Sequence, residues 1–212
     1  MSAATNYTVN KILVDTILRG QTSPAIPSTM YYGLFVASQG YWAANTSYSS
    51  GQTVIPTGFN PPRVYACTTP GTSSSSAPTW PVTAGGTVTD GSVVWTEQTI
   101  AMLNGTFTEA TYSGYARQAY ASTLANWAGT QGSGTTTAST GSALTGSTSN
   151  NVQVSFGAPT SNQAGVVVGA FLADASTSGN IWFSSLLTNP KTVNNGDAAP
   201  QFPTSTFVLT WS

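Results

Sequence analysis

Residues 31–38, Tyr-Tyr-Gly-Leu-Phe-Val-Ala-Ser, have the length of a β-strand and almost no polar alternation. A half-buried strand shows one apolar and one polar face, so a run without that period has to be covered on both sides. The chain therefore needs layers above and below this segment. Candidates to build them are the short strand-like runs at 114–120, 152–156, 166–172, 181–187 and 207–211. Turn sequences such as Ser-Thr-Ser-Gly-Asn at 176–180 and Asn-Asn-Gly-Asp at 194–197 separate them. Many short strands at this spacing predict a mainly β chain with a β-sandwich-like domain.

One helix is expected before that strand, over residues 8–19. Val9, Ile12, Leu13, Ile17 and Leu18 recur at helical spacing, with Lys11, Asp15 and Arg19 on the other side. Asp15 and Arg19 are four apart and can pair, and Gly20 supplies the stop. The result is a short amphipathic helix with one face to bury. A proline-punctuated connector, 21–30, follows it.

Residues 40–100 read as a small β module inserted between two strands of a discontinuous parent domain, 1–39 and 101–212. The ends of such a module return to neighbouring positions, so it is expected to project. Residues 129–151 are nearly all Gly, Ser, Thr and Ala, which predicts a flexible loop, pinned by neighbouring chains if ordered.

Charged residues make up 5% of the chain, against roughly 25% in an ordinary soluble domain. A surface of hydroxyls, amides and glycines suits a protein packed beside copies of itself or partners, where each buried charge would need compensation. A net charge of −1 gives no attraction to phosphate, so nucleic acid is not an expected partner. Neither a membrane span nor the basic-then-apolar layout of a signal peptide is present. Cys67, the single cysteine, is expected as a buried small hydrophobe in a strand.

Catalysis is disfavoured because the chain contains no histidine, which removes the commonest general base, the usual triads and most transition-metal sites. Its six carboxylates are Asp15, Asp90, Glu97, Glu109, Asp174 and Asp197. Only Asp90 and Glu97 lie in one module, and the extended strand between them sets them beyond the roughly 5 to 9.5 Å of a glycosidase pair. Both read as a turn Asp and a strand-edge Glu. Residues 84–91, Ala-Gly-Gly-Thr-Val-Thr-Asp-Gly, lack the Lys-Ser/Thr of a phosphate loop. No catalytic residue, cofactor or metal site is expected.

Several segments in sequence order carry a resemblance: Ile-Leu-Val-Asp-Thr-Ile-Leu-Arg-Gly at 12–20, the strand at 31–38, and Thr-Glu-Ala-Thr-Tyr-Ser-Gly-Tyr-Ala-Arg-Gln at 108–118. Val-Gln-Val-Ser-Phe-Gly-Ala-Pro-Thr at 152–160, residues 166–197 with Thr-Asn-Pro-Lys-Thr-Val at 188–193, and the terminal Phe-Val-Leu-Thr-Trp continue it. The chain resembles a family of tailed-bacteriophage virion structural proteins of the decoration, head-fibre or tail-fibre type. Residues 42–56, in the pattern W-x-A-x-T-x-Y-x-x-G-x-x-V-x-P, look like a small β module found in phage fibre proteins and similar to carbohydrate-binding modules. The resemblance implies a non-enzymatic virion protein assembled in the host cytoplasm, a capsid decoration protein or head fibre. The alternative is a tail fibre or adaptor whose module binds host polysaccharide. Its implied partners are copies of itself, as a trimer or other homo-oligomer, and major capsid or tail proteins.

Two sets of residues are candidate contacts. Trp42, Tyr48, Tyr65, Trp80 and Trp95 offer flat apolar faces that suit sugar rings, although a module of this size needs such groups for a core. Glu109 and Arg117 form a candidate ion pair, fixing strand register or meeting a neighbouring subunit. Lys191, after Pro190, is expected to cap a turn.

Overall fold

A computed structural model describes residues 2–22, 25–140 and 146–211. In chain order, β1 (Ser2–Ala4) leads into α1 (Asn6–Thr8), which continues as a π-helix over Val9–Leu18, and β2 (Thr29–Ala37) follows. Next come β3 (Ser47–Tyr48), β4 (Thr53–Val54), β5 (Tyr65–Thr69), β6 (Gly71–Thr72), β7 (Thr87–Asp90) and β8 (Val93–Glu97). A helical turn, α2 (Thr99–Leu103), precedes β9 (Thr108–Glu109) and β10 (Gln118–Ala121). The remainder holds β11 (Gly146–Ser149), β12 (Val154–Ser155), β13 (Val166–Ala173), β14 (Ile181–Lys191), β15 (Gln201–Phe202) and β16 (Val208–Trp211).

An antiparallel sheet in the order β1-β14-β13-β2-β10 forms the centre, with β9 also pairing with β2. β2 and β13 are covered on both faces, as a strand without polar alternation requires. On one face Tyr32, Leu34, Val36, Ala170 and Leu172 meet Tyr120, Phe156, Phe207 and Leu209 from the segments that form β10, β12 and β16. On the other, Phe35, Ala37, Phe171 and Ala173 meet Ile55, Val64 and Met102. The sandwich-like class follows from these two covered faces.

Two glycines make the middle of the sheet possible. Gly33 lies directly across from Phe171, and Gly169 directly across from Phe35. A Cβ on Gly33 would have three Phe171 ring atoms no farther than 2.7 Å away, and one on Gly169 three Phe35 ring atoms no farther than 2.6 Å. Each ring thus lies over the bare backbone of its partner strand, a cross-strand use of glycine.

The N-terminal helix departs from expectation in winding and in burial. Its start is held to the sheet: the Thr5 and Thr8 hydroxyls donate to carbonyls of Ile181 and Trp182. Beyond that, no residue of Val9–Leu18 is buried, and Leu13, Ile17 and Leu18 are 48%, 64% and 78% exposed. Lys11 and Arg19 both pair with Asp15, at 3.2 and 2.8 Å. Of the apolar face expected to be buried only Ile12, half-buried, packs against the core, and Val9, Leu13, Ile17 and Leu18 are open in the single chain.

Three other expectations change. Residues 114–117 lie outside any strand: a turn at 113–114, where Gly114 adopts a left-handed φ of 102° in close packing against Ala158, leads into an irregular stretch before β10. α2 is a second helical element that the residue pattern did not reveal. The hydroxyl-rich tract is tied within its own chain. Gly129 N and Thr130 N donate to Thr135 Oγ1 and Ser139 Oγ at 2.9 and 3.0 Å, and β11 pairs with β16. Residues 141–145 of that tract lie outside the described residues. Among the described residues no helix is long and apolar enough to cross a membrane.

Candidate functional site

The strands between β2 and β9 form sheets of their own, β4-β5-β8-β7 and β3-β6. Their core is Tyr48, Val54, Tyr65, Cys67, Val93 and Trp95, with Trp42, Trp80 and Val88 packed against it. Tyr65 and Trp95 are fully buried and Tyr48 is 5% exposed. At roughly 1.5–3 kcal/mol for each large apolar side chain buried, these rings hold so small a unit together. Tyr48 stands edge-on to Trp95 at 4.8 Å between centroids, and Trp80 leans over Tyr65 at 4.5 Å. Cys67 lies buried in β5 opposite Trp95, and burial pushes its thiol pKa up.

Hydrogen bonds complete this core from inside. Asp90, at the end of β7, is 2% exposed. Its Oδ2 accepts from Trp42 Nε1 at 2.8 Å and Trp95 Nε1 at 2.9 Å, and its Oδ1 from Ser74 N at 2.9 Å. One carboxylate thus locks two indoles and a loop, an arrangement that sequence reasoning reduced to a turn. The Tyr65 hydroxyl donates to Pro81 O at 2.8 Å, and burial pushes its pKa to about 12. Glu97, also buried, takes Arg63 Nη1 at 3.1 Å through Oε1, while its Oε2 finds no partner among the described residues.

Of the five aromatic candidates, the structure gathers all into one cluster and leaves only Trp42 and Trp80 half-buried. Stacking on a sugar needs an open ring face, so Tyr48, Tyr65 and Trp95 have the role of core. An exposed ring that sequence reasoning missed is Tyr41, 46% exposed at the module's base. The base itself is built into the sheet. Thr53 N donates to Ser38 Oγ at 3.0 Å, Ser38 N to Thr53 Oγ1 at 2.8 Å, and Ile55 and Val64 enter the second core face. The module is therefore seated by packed side chains and not by a linker.

Glu109 and Arg117 meet at the rim of the central sheet. Arg117 Nε and Nη2 donate to the two carboxylate oxygens of Glu109, both at 2.8 Å, in a bidentate pair. Arg117 Nη1 also donates to Ala175 O at 2.9 Å and Ser178 O at 2.6 Å, which ties the pair to the β13–β14 turn. Its guanidinium sits 4.8 Å from the centroid of Phe171. Tyr115 donates its hydroxyl to Glu109 Oε1 at 2.8 Å and accepts from Leu34 N at 2.9 Å, so the cluster reaches the backbone of β2. The hydrogen bonds that Arg117 donates to Glu109 raise its pKa, and burial raises that of Tyr115. The Arg117 side chain is 7% exposed.

A family profile described as "Podophage GP4 fiber I protein gp80" matches residues 94–210, more than half of the chain. The chain belongs to this family of phage fibre proteins. No match was found among curated proteins. The matched region of the fibre protein begins within β8 and contains β9 to β15 with most of β16. The Glu109–Arg117 cluster and residues 188–193 fall inside it. The N-terminal helix, β2 and most of the module fall outside it. Membership makes the protein a structural component of phage virions.

Proposed function

We propose that this fibre protein assembles as a homo-oligomer, in its simplest form a trimer, and serves as a head fibre or capsid decoration whose 40–100 module projects outward. The supporting observation is the open apolar face of the N-terminal helix. Val9, Leu13 and Ile17 recur every four residues on it and are all exposed, while the charges of the helix are joined to one another. Copies of this helix packing stripe to stripe would bury those side chains without burying an unpaired charge. The sparse charge of the whole chain favours the same kind of contact.

A second reading, a tail fibre or adaptor whose module touches host polysaccharide, draws on the half-buried Trp42 and Trp80. Cryo-electron microscopy of the virion distinguishes them: copies across the head lattice support the first, and copies only at the tail replace it with the second. Sedimentation tests the assembly itself. An oligomer that survives high salt and falls to a folded monomer in Leu13→Glu is the expected result. A wild-type monomer overturns the reading.

A further inference from the structure

We infer that the ridge formed by residues 187–190 and the hollows on its two sides bind an acidic oligosaccharide. The ridge is a large bulge: Leu186 pairs with Gly169 and Lys191 with Val167, so four residues of β14 stand out against Val168 alone. Bulges of this kind turn side chains out of a sheet. Thr188 and Asn189 are exposed on it and border both hollows.

The two hollows differ in chemistry and complement each other. One, about 430 Å³, has half-buried Phe202 and Leu187 as its apolar side, with the buried Phe156 also lining it, and Asn189, Lys191 and Gln201 as its polar side. The other, about 260 Å³, lies where the module meets the sheet, between Tyr41, Phe59 and Asn60 and the ridge. The larger is within the size range of small-molecule sites. Sugar rings present apolar C–H faces to aromatic side chains, and hydroxyls that both donate and accept. The amides and hydroxyls of Asn189, Gln201 and Thr188 can do the same in return.

Charge selects the class of sugar. Of the five cations in the chain, Lys11, Arg19, Arg63 and Arg117 are in ion pairs. Lys191 is the one cation outside an ion pair among the described residues, and it lines the larger hollow instead of capping a turn. Asp197 lines it too, but its Oδ2 is held by Asn194 N at 2.8 Å and Asn194 Nδ2 at 3.2 Å within a turn. A sugar carboxylate reaching Lys191 would form a charge-assisted hydrogen bond, the strongest contact available there.

Titration calorimetry of the full chain at low salt, with tetragalacturonic acid as the probe, tests this. Binding is expected, weakened at least about tenfold in Lys191→Met, reduced in Tyr41→Ala and Asn189→Ala, and at least about tenfold weaker for a neutral galactose tetramer. Circular dichroism checks that each variant is folded. Absence of binding by the folded wild type overturns the inference, as does unchanged binding in folded Lys191→Met. Equal binding of hexaglutamate also overturns it, by showing a general polyanion surface in place of a sugar site. None of these results bears on whether the protein oligomerises.

Discussion

Replacing Gly33 by alanine adds one methyl group to the centre of β2, a change that ordinarily stabilises a strand by about 0.4–1 kcal/mol where the backbone permits it. The Gly33 φ is not in the left-handed region, so the backbone does permit it. The obstacle is the Phe171 ring, fully buried, with Phe107 at 4.8 Å between centroids and the Arg117 guanidinium at 4.8 Å. The ring has to move against these neighbours, and overpacking of this kind costs about 1–3 kcal/mol. With three ring atoms displaced the upper part of that range applies, and after the usual gain is subtracted a net loss of about 2 kcal/mol is expected. Urea unfolding of Gly33→Ala, Phe171→Leu and the double variant measures it. The double variant should be no less stable than Phe171→Leu alone, a coupling of about 2 kcal/mol. A Gly33→Ala protein within about 0.5 kcal/mol of wild type, or additive losses, would refute the interlocked-ring account. Gly169→Ala against Phe35 repeats the test on the neighbouring pair.

Three other outcomes are expected. Asp90→Ala strands the buried Trp95 indole N–H, that of half-buried Trp42 and the Ser74 amide, and should cost about 2–4 kcal/mol in urea unfolding followed by tryptophan fluorescence; a loss under about 1 kcal/mol would remove Asp90 from the core. Arg117→Met leaves the Glu109 carboxylate and two turn carbonyls without their donor, with a loss of about 2–3 kcal/mol, and adding Glu109→Gln should recover part of it; strict additivity would mean the pair is energetically silent. Burial raises Tyr65 and Tyr112 to about 12, above the ordinary 10, so their contribution is fully present below pH 10 and is lost as pH rises from 10 toward 12. Stability that stays flat across that window in unfolding measurements would contradict it.

Local pattern carried much of the architecture. The missing polar alternation of residues 31–38 required cover on both faces, and the turn sequences spaced most of the strands correctly. The same pattern failed at 114–117, where a turn packed against Ala158 and an irregular stretch stand in place of a strand, and at α2, too short to show a period. Residue type suggested that Glu109 and Arg117 could meet, yet the Ala175 and Ser178 carbonyls that complete their cluster, and the Leu34 amide that Tyr115 takes, come from distant segments.

What the sequence by itself determined is therefore what depends on nearest neighbours along the chain: strand and turn periodicity, the amphipathic stripe of the N-terminal helix, and the poverty of charge. Only the tertiary structure decided which apolar groups are core and which are open. Tyrosine is buried at Tyr65 and exposed at Tyr41, and most of the helix stripe expected to be covered by its own chain is not. Burial is a property of where distant segments converge, and an amino-acid type states only the gain available if they do.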